Sequence, residues 1–123
     1  MAETLAGKRI LVVEDEYMLA SDLAQFLEQE GAAVAGPVGT VTGALALAET
    51  EALDAAVLDI NLRNEKVYPV ADLLIEPKVP VVFATGYDEL LMARPYIGIP
   101  RCQKPIDKAA LAKMLAQAMA EQP

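Results

Sequence analysis

The sequence contains no histidine. A histidine-based catalytic triad, a histidine-ligated metal and a phosphohistidine carried by this chain are therefore excluded. A single cysteine, Cys102, has no partner for an internal disulfide and suits a cytoplasmic setting. In the run 99–103 it reads as a small apolar residue on a buried strand. No apolar run approaches the roughly 20 residues of a membrane span, and residues 1–7 lack the charged-then-apolar pattern of a secretory signal. Basic residues are few and unclustered. The 10 Lys and Arg stand against 18 Asp and Glu, for a net charge of −8, which argues against nucleic acid or an anionic membrane as partner. The chain also lacks internal repeats, low-complexity segments and interior linkers.

What is present suffices for one core. A length of 123 residues, 54% of them apolar, fits a single domain with its core at about 8–120 and leaves little room for a second. Short apolar runs alternate with helical patterns. Strands are expected at 9–13, 33–35, 55–59, 79–84 and about 100–103. A helix at 16–29 carries Leu19, Leu23, Phe26 and Leu27 on one face and stops at Gly31, which takes positive φ without steric cost. Thr40 is placed to cap a second helix reaching about residue 51. Residues 61–66 read as a loop. Pro69 suits the first turn of a third helix that Pro77 ends. A fourth, at 88–93, is cut short by Pro95. Asp107 caps the last, with Leu111, Leu115 and Ala118 on one stripe and Met114 and Met119 beside it. Residues 1–7 and 121–123 are expected to fray. Near-continuous apolar strands alternating with helices indicate parallel strands covered on both faces, in a three-layer α/β sandwich with right-handed crossovers.

Charged residues stand at the carboxyl ends of three of these strands, where open α/β sheets bind ligands. Glu14 and Asp15 close the first strand. Adjacent acids there would repel each other unless a hard divalent cation with oxygen ligands relieved them; the simpler role for Asp15 is to cap the next helix. Asp59 ends Ala-Ala-Val-Leu-Asp, a strand with no other polar group, and beside a cation it could attack phosphorus to make an acyl phosphate. Thr85, in Phe83-Ala84-Thr85-Gly86-Tyr87, has a hydroxyl to offer a phosphoryl oxygen, although Thr is also a common turn former. Lys104 could pair with Asp59 at rest and with a phosphoryl group after transfer. Pro105 follows it, and X-Pro is where cis peptides occur.

Together these motifs resemble the receiver domain of bacterial two-component response regulators. They are Val-Val-Glu-Asp-Glu at 12–16, Leu-Asp-Ile-Asn-Leu at 58–62, Phe-Ala-Thr-Gly-Tyr at 83–87 and Lys-Pro at 104–105. The resemblance implies a flavodoxin-like five-stranded parallel sheet in order 2-1-3-4-5 with five helices, the fourth short or mobile. It implies that Asp59 is the phosphoacceptor, that Asp15 and Glu14 bind Mg²⁺ (or Mn²⁺), with Asp59 beside it and the backbone carbonyl of Asn61 as a further ligand, and that Thr85 and Lys104 contact the phosphoryl group. Such a domain is a signalling protein rather than an enzyme. Its partners would be a sensor histidine kinase or histidine phosphotransfer protein, with a downstream protein target in some systems. Phe-Ala-Thr-Gly-Tyr is similar to the signature of the stand-alone "FAT GUY" receivers, which lack an output domain. One departure concerns strand five, where receivers carry an aromatic residue three positions before the lysine; here it is Arg101. Tyr87 is the candidate substitute in the switch, and Leu90 and Leu91, with Met92, Tyr96, Ile97 and Ile99, are candidates for an exposed recognition surface.

Two other classes follow from the same residues. A phosphatase-like hydrolase would use Asp59 as nucleophile but would want a second carboxylate two positions on, where Asn61 stands. A flavin or nucleotide binder would want a glycine-rich phosphate loop after strand one, where Glu14, Asp15 and Glu16 would repel phosphate.

Overall fold

A computed structural model describes residues 5–63, 65–86, 96 and 98–121. Five parallel strands form the main sheet: β1 (Arg9–Val13), β2 (Ala33–Val38), β3 (Ala55–Asp59), β6 (Val81–Thr85) and β7 (Arg101–Gln103). Their order is β2-β1-β3-β6-β7, which is 2-1-3-4-5 when the main-sheet strands alone are counted. The helices are α1 (Tyr17–Gln29), α2 (Val41–Thr50), α3 (Tyr68–Ile75) and α4 (Lys108–Ala120). A fourth helix at 88–93 was expected between β6 and β7; that stretch lies outside the described residues.

Successive residues of a strand point to opposite faces of a sheet, and here both faces are buried. On one side Leu11, Val13, Ala56, Leu58, Val81 and Phe83 join Ala44 of α2 and Val70, Ala71 and Leu74 of α3. On the other, Ile10, Val12, Ala55, Val57, Val82 and Cys102 join Leu23 and Leu27 of α1 and Leu111, Leu115 and Ala116 of α4. Parallel strands covered on both sides have no use for alternating polarity, which is why they read as unbroken apolar runs.

The structure departs from the sequence expectations in several places. β2 extends to Val38 through Gly36 and Pro37, although those residues read as a loop. It is the outermost strand and pairs only with β1, so a proline there forfeits no ladder bond on the open side. Residues 61–66 are a small antiparallel hairpin, β4 (Asn61–Leu62) with β5 (Glu65–Lys66), and not a plain loop. β6 begins at Val81 rather than 79. Leu5 is buried among Ile10, Val57 and Leu111, and the Gly7 amide donates to the Gly31 carbonyl at 2.9 Å, so residues 5–7 are pinned and do not fray. On α4, Ala116 is buried and Ala118 only partly so. Leu19 is 44% exposed, not a core residue.

The caps agree with the local chemistry. The Thr40 hydroxyl accepts from the Gly43 amide at 3.0 Å, and the Asp107 carboxylate accepts from the Ala110 amide at 3.1 Å. Each satisfies one amide that a helix start leaves unpaired.

Candidate functional site

Parallel strands carry all their carboxyl ends to one edge of the sheet, and the β1–β3 and β3–β6 registers bring three of them level there. Val13 lies opposite Leu58, and Asp59 lies opposite Ala84. Residues one step past β1 thus stand beside Asp59, and Thr85 is one step past Asp59's partner. The Lys104 amide donates to the Thr85 carbonyl at 2.8 Å, which closes β7 onto β6 and delivers the Lys104 side chain to the same edge. Gly39 makes room for the acid pair: a Cβ there would sit 3.1 Å from the Asp15 Cα.

Lys104 is the centre of the polar network. Its Nζ lies 2.9 Å from Glu14 Oε1 and 3.0 Å from Asp59 Oδ2. The other Asp59 oxygen accepts from the Asn61 amide at 3.3 Å. Glu14 Oε2 accepts from the Glu16 amide at 3.0 Å. That contact sits where a helix cap would be expected, since Glu16 itself makes no side-chain cap. Asp15 is therefore not the cap; its carboxylate lies 3.3 Å from the Nε of Arg63 in the hairpin turn. Glu14, Asp59 and Thr85 are buried. The Thr85 hydroxyl donates to the Gly86 carbonyl at 3.0 Å.

Burial sets the electrostatics. Desolvation pushes the Asp59 carboxyl up to about 6; the hydrogen bond from Lys104 opposes that rise and the nearby Glu14 charge adds to it. For Lys104, burial alone would lower the ammonium's pKa. The hydrogen bonds to Glu14 and Asp59, with the charge of both acids, outweigh it and hold the pKa above the usual lysine value. Two carboxylates, Glu14 and Asp59, thus share one ammonium at the sheet edge.

Ligand atoms of Glu14, Asp15 and Asp59 all lie within 4.8 Å of one another. The donors are oxygens alone, two of the three residues are buried, and their negative charge exceeds what Lys104 supplies. That donor set fits a hard divalent cation such as Mg²⁺ or Mn²⁺, and not a soft metal.

The sequence profile of the response regulator receiver domain matches residues 10–116. The chain belongs to the receiver domain family. Among solved structures this receiver is similar to SdrG from Sphingomonas melonis Fr1, at 41% identity and a TM-score of 0.80, over 98% of this chain and 99% of that one. A receiver domain of a sensor histidine kinase from Pseudomonas aeruginosa, 24% identical over 94% of this chain and 100% of that one with a TM-score of 0.80, shares the fold and was solved with magnesium in its active-site cleft. Among curated proteins, the phyllosphere-induced regulator PhyR of Methylorubrum extorquens is 33% identical over 115 residues, covering 89% of this chain. The receiver spans 43% of the length of PhyR, and the same share of the Mycobacterium tuberculosis regulator PdtaR that it also matches.

Of the other expected site residues, Arg101 is exposed at the start of β7, facing Phe83 in the register. The Lys104–Pro105 peptide is cis. Tyr87, Leu90, Leu91, Met92 and Ile97 lie outside the described residues. Tyr96, expected in an exposed patch, is a core residue instead: its ring stacks on Tyr68 at 4.3 Å and meets Phe83 edge-on at 6.1 Å, and its hydroxyl donates to Asp72 at 2.7 Å. The apolar residues that do stand in the open near the site are Tyr17 at 80% exposure, Met18 at 73% and Leu19. Helical periodicity gave no sign of this, since spacing put Leu19 on the buried face of α1 and it is 44% exposed. Leu19 and Leu23 there share a cavity of about 550 Å³ with Lys104, Pro105 and Ile106. Arg63 was also missed, since a lone arginine in a polar stretch carries no sequence signal.

Proposed function

We propose that this receiver is a phosphorylation switch of the stand-alone "FAT GUY" subclass, with Asp59 as phosphoacceptor. The observation that carries the reading is the bridge of Lys104 Nζ between Asp59 and Glu14, with Asp15 within metal-sharing distance of both. A nucleophilic carboxylate, a cation site and a mobile ammonium are what phosphoryl transfer to an aspartate requires. The subclass reading rests on Phe83-Ala84-Thr85-Gly86-Tyr87.

In this account a carboxylate oxygen of Asp59 forms a bond to phosphorus while the bond from phosphorus to a donor's imidazole nitrogen breaks, the electron pair leaving with that nitrogen. The donor is a histidine kinase or a histidine phosphotransfer protein; with a small acyl phosphate the bond that breaks is the one from phosphorus to the acyl oxygen, and the electron pair leaves with the carboxylate. Mg²⁺ held by Glu14, Asp15 and Asp59, with the Asn61 carbonyl, would neutralise charge on the transferring oxygens. Lys104 keeps its bond to Glu14 as an anchor and pivots from the Asp59 oxygen to the new phosphoryl group. Thr85 exchanges its hydrogen bond to the Gly86 carbonyl for one to a phosphoryl oxygen. That exchange frees the chain after β6 to rearrange, with Tyr87 in place of the usual strand-five aromatic. The output is protein–protein contact or drainage of phosphate from a kinase, without turnover of an external substrate.

A donor protein has to approach the sheet edge past the first turn of α1. We propose that its contact falls on Tyr17, Met18 and Leu19, exposed apolar residues at the start of α1 that follow Glu14 and Asp15 closely in the chain. The direct test is transfer from an autophosphorylated histidine kinase. The wild-type receiver should strip label from the kinase only with Mg²⁺ present, and Asp59→Asn should not. Equal loss of label with the variant would refute the assignment.

A further inference from the structure

Arg63 is bound to the site by something other than the proposed chemistry. It sits in the turn between β4 and β5, four residues after Asp59, with a backbone φ of 57° that side-chain-bearing residues seldom adopt. Its Nε lies 3.3 Å from the Asp15 carboxylate, and its side chain is otherwise 78% exposed while that of Asp15 is 18% exposed. The arrangement divides the two cations of the site between the acids. Lys104 holds Glu14 and Asp59, and Arg63 holds Asp15. Among the described residues the Asp15 side chain has no other hydrogen-bond or ion-pair partner.

We propose that Arg63 is a positioning residue that guards the cation site: in the metal-free protein its guanidinium stands in for the divalent ion on Asp15, and a cation must displace it to bind. The inference rests on the reading of Glu14, Asp15 and Asp59 as the metal ligands. The physical reason is competition for one carboxylate. Asp15 cannot give its full charge to a cation while it holds a guanidinium, so the ion pair is lost as the metal is gained. Exposure keeps the penalty small, because a surface pair contributes little. It also makes Arg63 easy to release and easy to claim by another anion. By reciprocity, any acidic group that draws Arg63 away from Asp15 tightens cation binding by the same factor with which the cation loosens Arg63.

The test is the affinity of the intact chain for Mn²⁺, followed by the electron paramagnetic resonance signal of the free ion at low ionic strength. Arg63→Gln should bind about two- to fivefold more tightly than wild type, the factor that corresponds to loss of an exposed ion pair. Arg63→Lys keeps a cation in the turn and should stay near wild type. Lys113→Gln, which removes an exposed charge from α4, measures the general effect of net charge and should tighten binding less than Arg63→Gln does. The advantage of Arg63→Gln should shrink at about 0.5 M salt, where exposed charges are screened. An Arg63→Gln affinity equal to that of wild type or of Lys113→Gln overturns the guard, and so does an Arg63→Lys variant as tight as Arg63→Gln. If wild type binds Mn²⁺ with an affinity that Asp15→Asn does not weaken, the ligand assignment itself is wrong and the guard falls with it.

Discussion

Replacing the proposed phosphoacceptor should make the metal-free protein more stable. Asp59 is buried, and its carboxyl is raised from 3.8 to about 6. A group raised in the folded state favours folding while it is protonated, and that contribution is lost as pH climbs through the folded value. Wild type therefore loses stability between about pH 4 and pH 7. The rise of about two units corresponds to roughly 3 kcal/mol at most. Asn resembles the protonated carboxyl in shape and charge, so Asp59→Asn escapes that loss. Lys104 keeps its bond to Glu14 in the variant, and the Asn oxygen can still accept from it. We expect a gain of about 1–3 kcal/mol at pH 7.5 in EDTA, or a rise in Tm of several degrees. Below about pH 4 the two proteins should unfold at the same denaturant concentration. Urea unfolding from pH 3.5 to 8 measures both. Millimolar Mg²⁺ should narrow the gap at pH 7.5, because it binds the wild-type carboxylates in the native state. A variant less stable than wild type at pH 7.5, or a gap that stays constant across the pH range, would refute the electrostatic argument.

Four further outcomes follow. Lys104→Met should destabilise the metal-free protein, by less than the roughly 3–5 kcal/mol of a fully buried pair because the Lys104 side chain is partly exposed; Mg²⁺ should recover part of the loss, and a thermal melt with and without the ion checks this. Tyr96→Phe removes the 2.7 Å hydrogen bond to Asp72 and should cost about 1–2 kcal/mol in urea unfolding. In alkaline titration followed by tyrosinate absorbance, one of the four tyrosines should ionise late, near the value of about 12 to which burial first and Asp72 second push Tyr96, and Tyr96→Phe should delete that late step. A double variant, Tyr17→Ser with Met18→Ser, should leave Tm within about one degree, since exposed positions contribute little, yet slow transfer from a histidine kinase while leaving phosphorylation by acetyl phosphate unchanged.

Much of this was legible in the sequence, for a physical reason. In a parallel sheet buried on both sides, strands are uninterrupted apolar runs, and their carboxyl ends share one edge. Val13, Asp59 and the residues before Lys104 could thus be placed together without coordinates, and so could the sheet order once the motifs suggested a receiver. The caps at Thr40 and Asp107 were readable because capping is local. What was hidden depends on position in space. Pro37 looked like the end of a strand, but β2 is an edge and tolerates it. The hairpin at 61–66 has strands of only two residues each, too short to show a periodicity. Leu19 fits the buried face of α1 by spacing, yet it is 44% exposed and lines the cavity beside Lys104. Tyr96 looked like surface and is core, because Tyr68 and Phe83 supply a stacking niche that no local pattern announces. The division of charges, Lys104 to Glu14 and Asp59 and Arg63 to Asp15, also needs three-dimensional distances.

The central claim is that Asp59 takes up a phosphoryl group in a cation-dependent reaction. Incubation with Mg²⁺ and acetyl phosphate, followed by intact-mass measurement, tests it most directly. The account predicts a single phosphoryl adduct on the wild-type chain, absent in EDTA and absent from Asp59→Asn. A wild-type chain that gains no mass, or an Asp59→Asn chain that gains the same adduct, would contradict it.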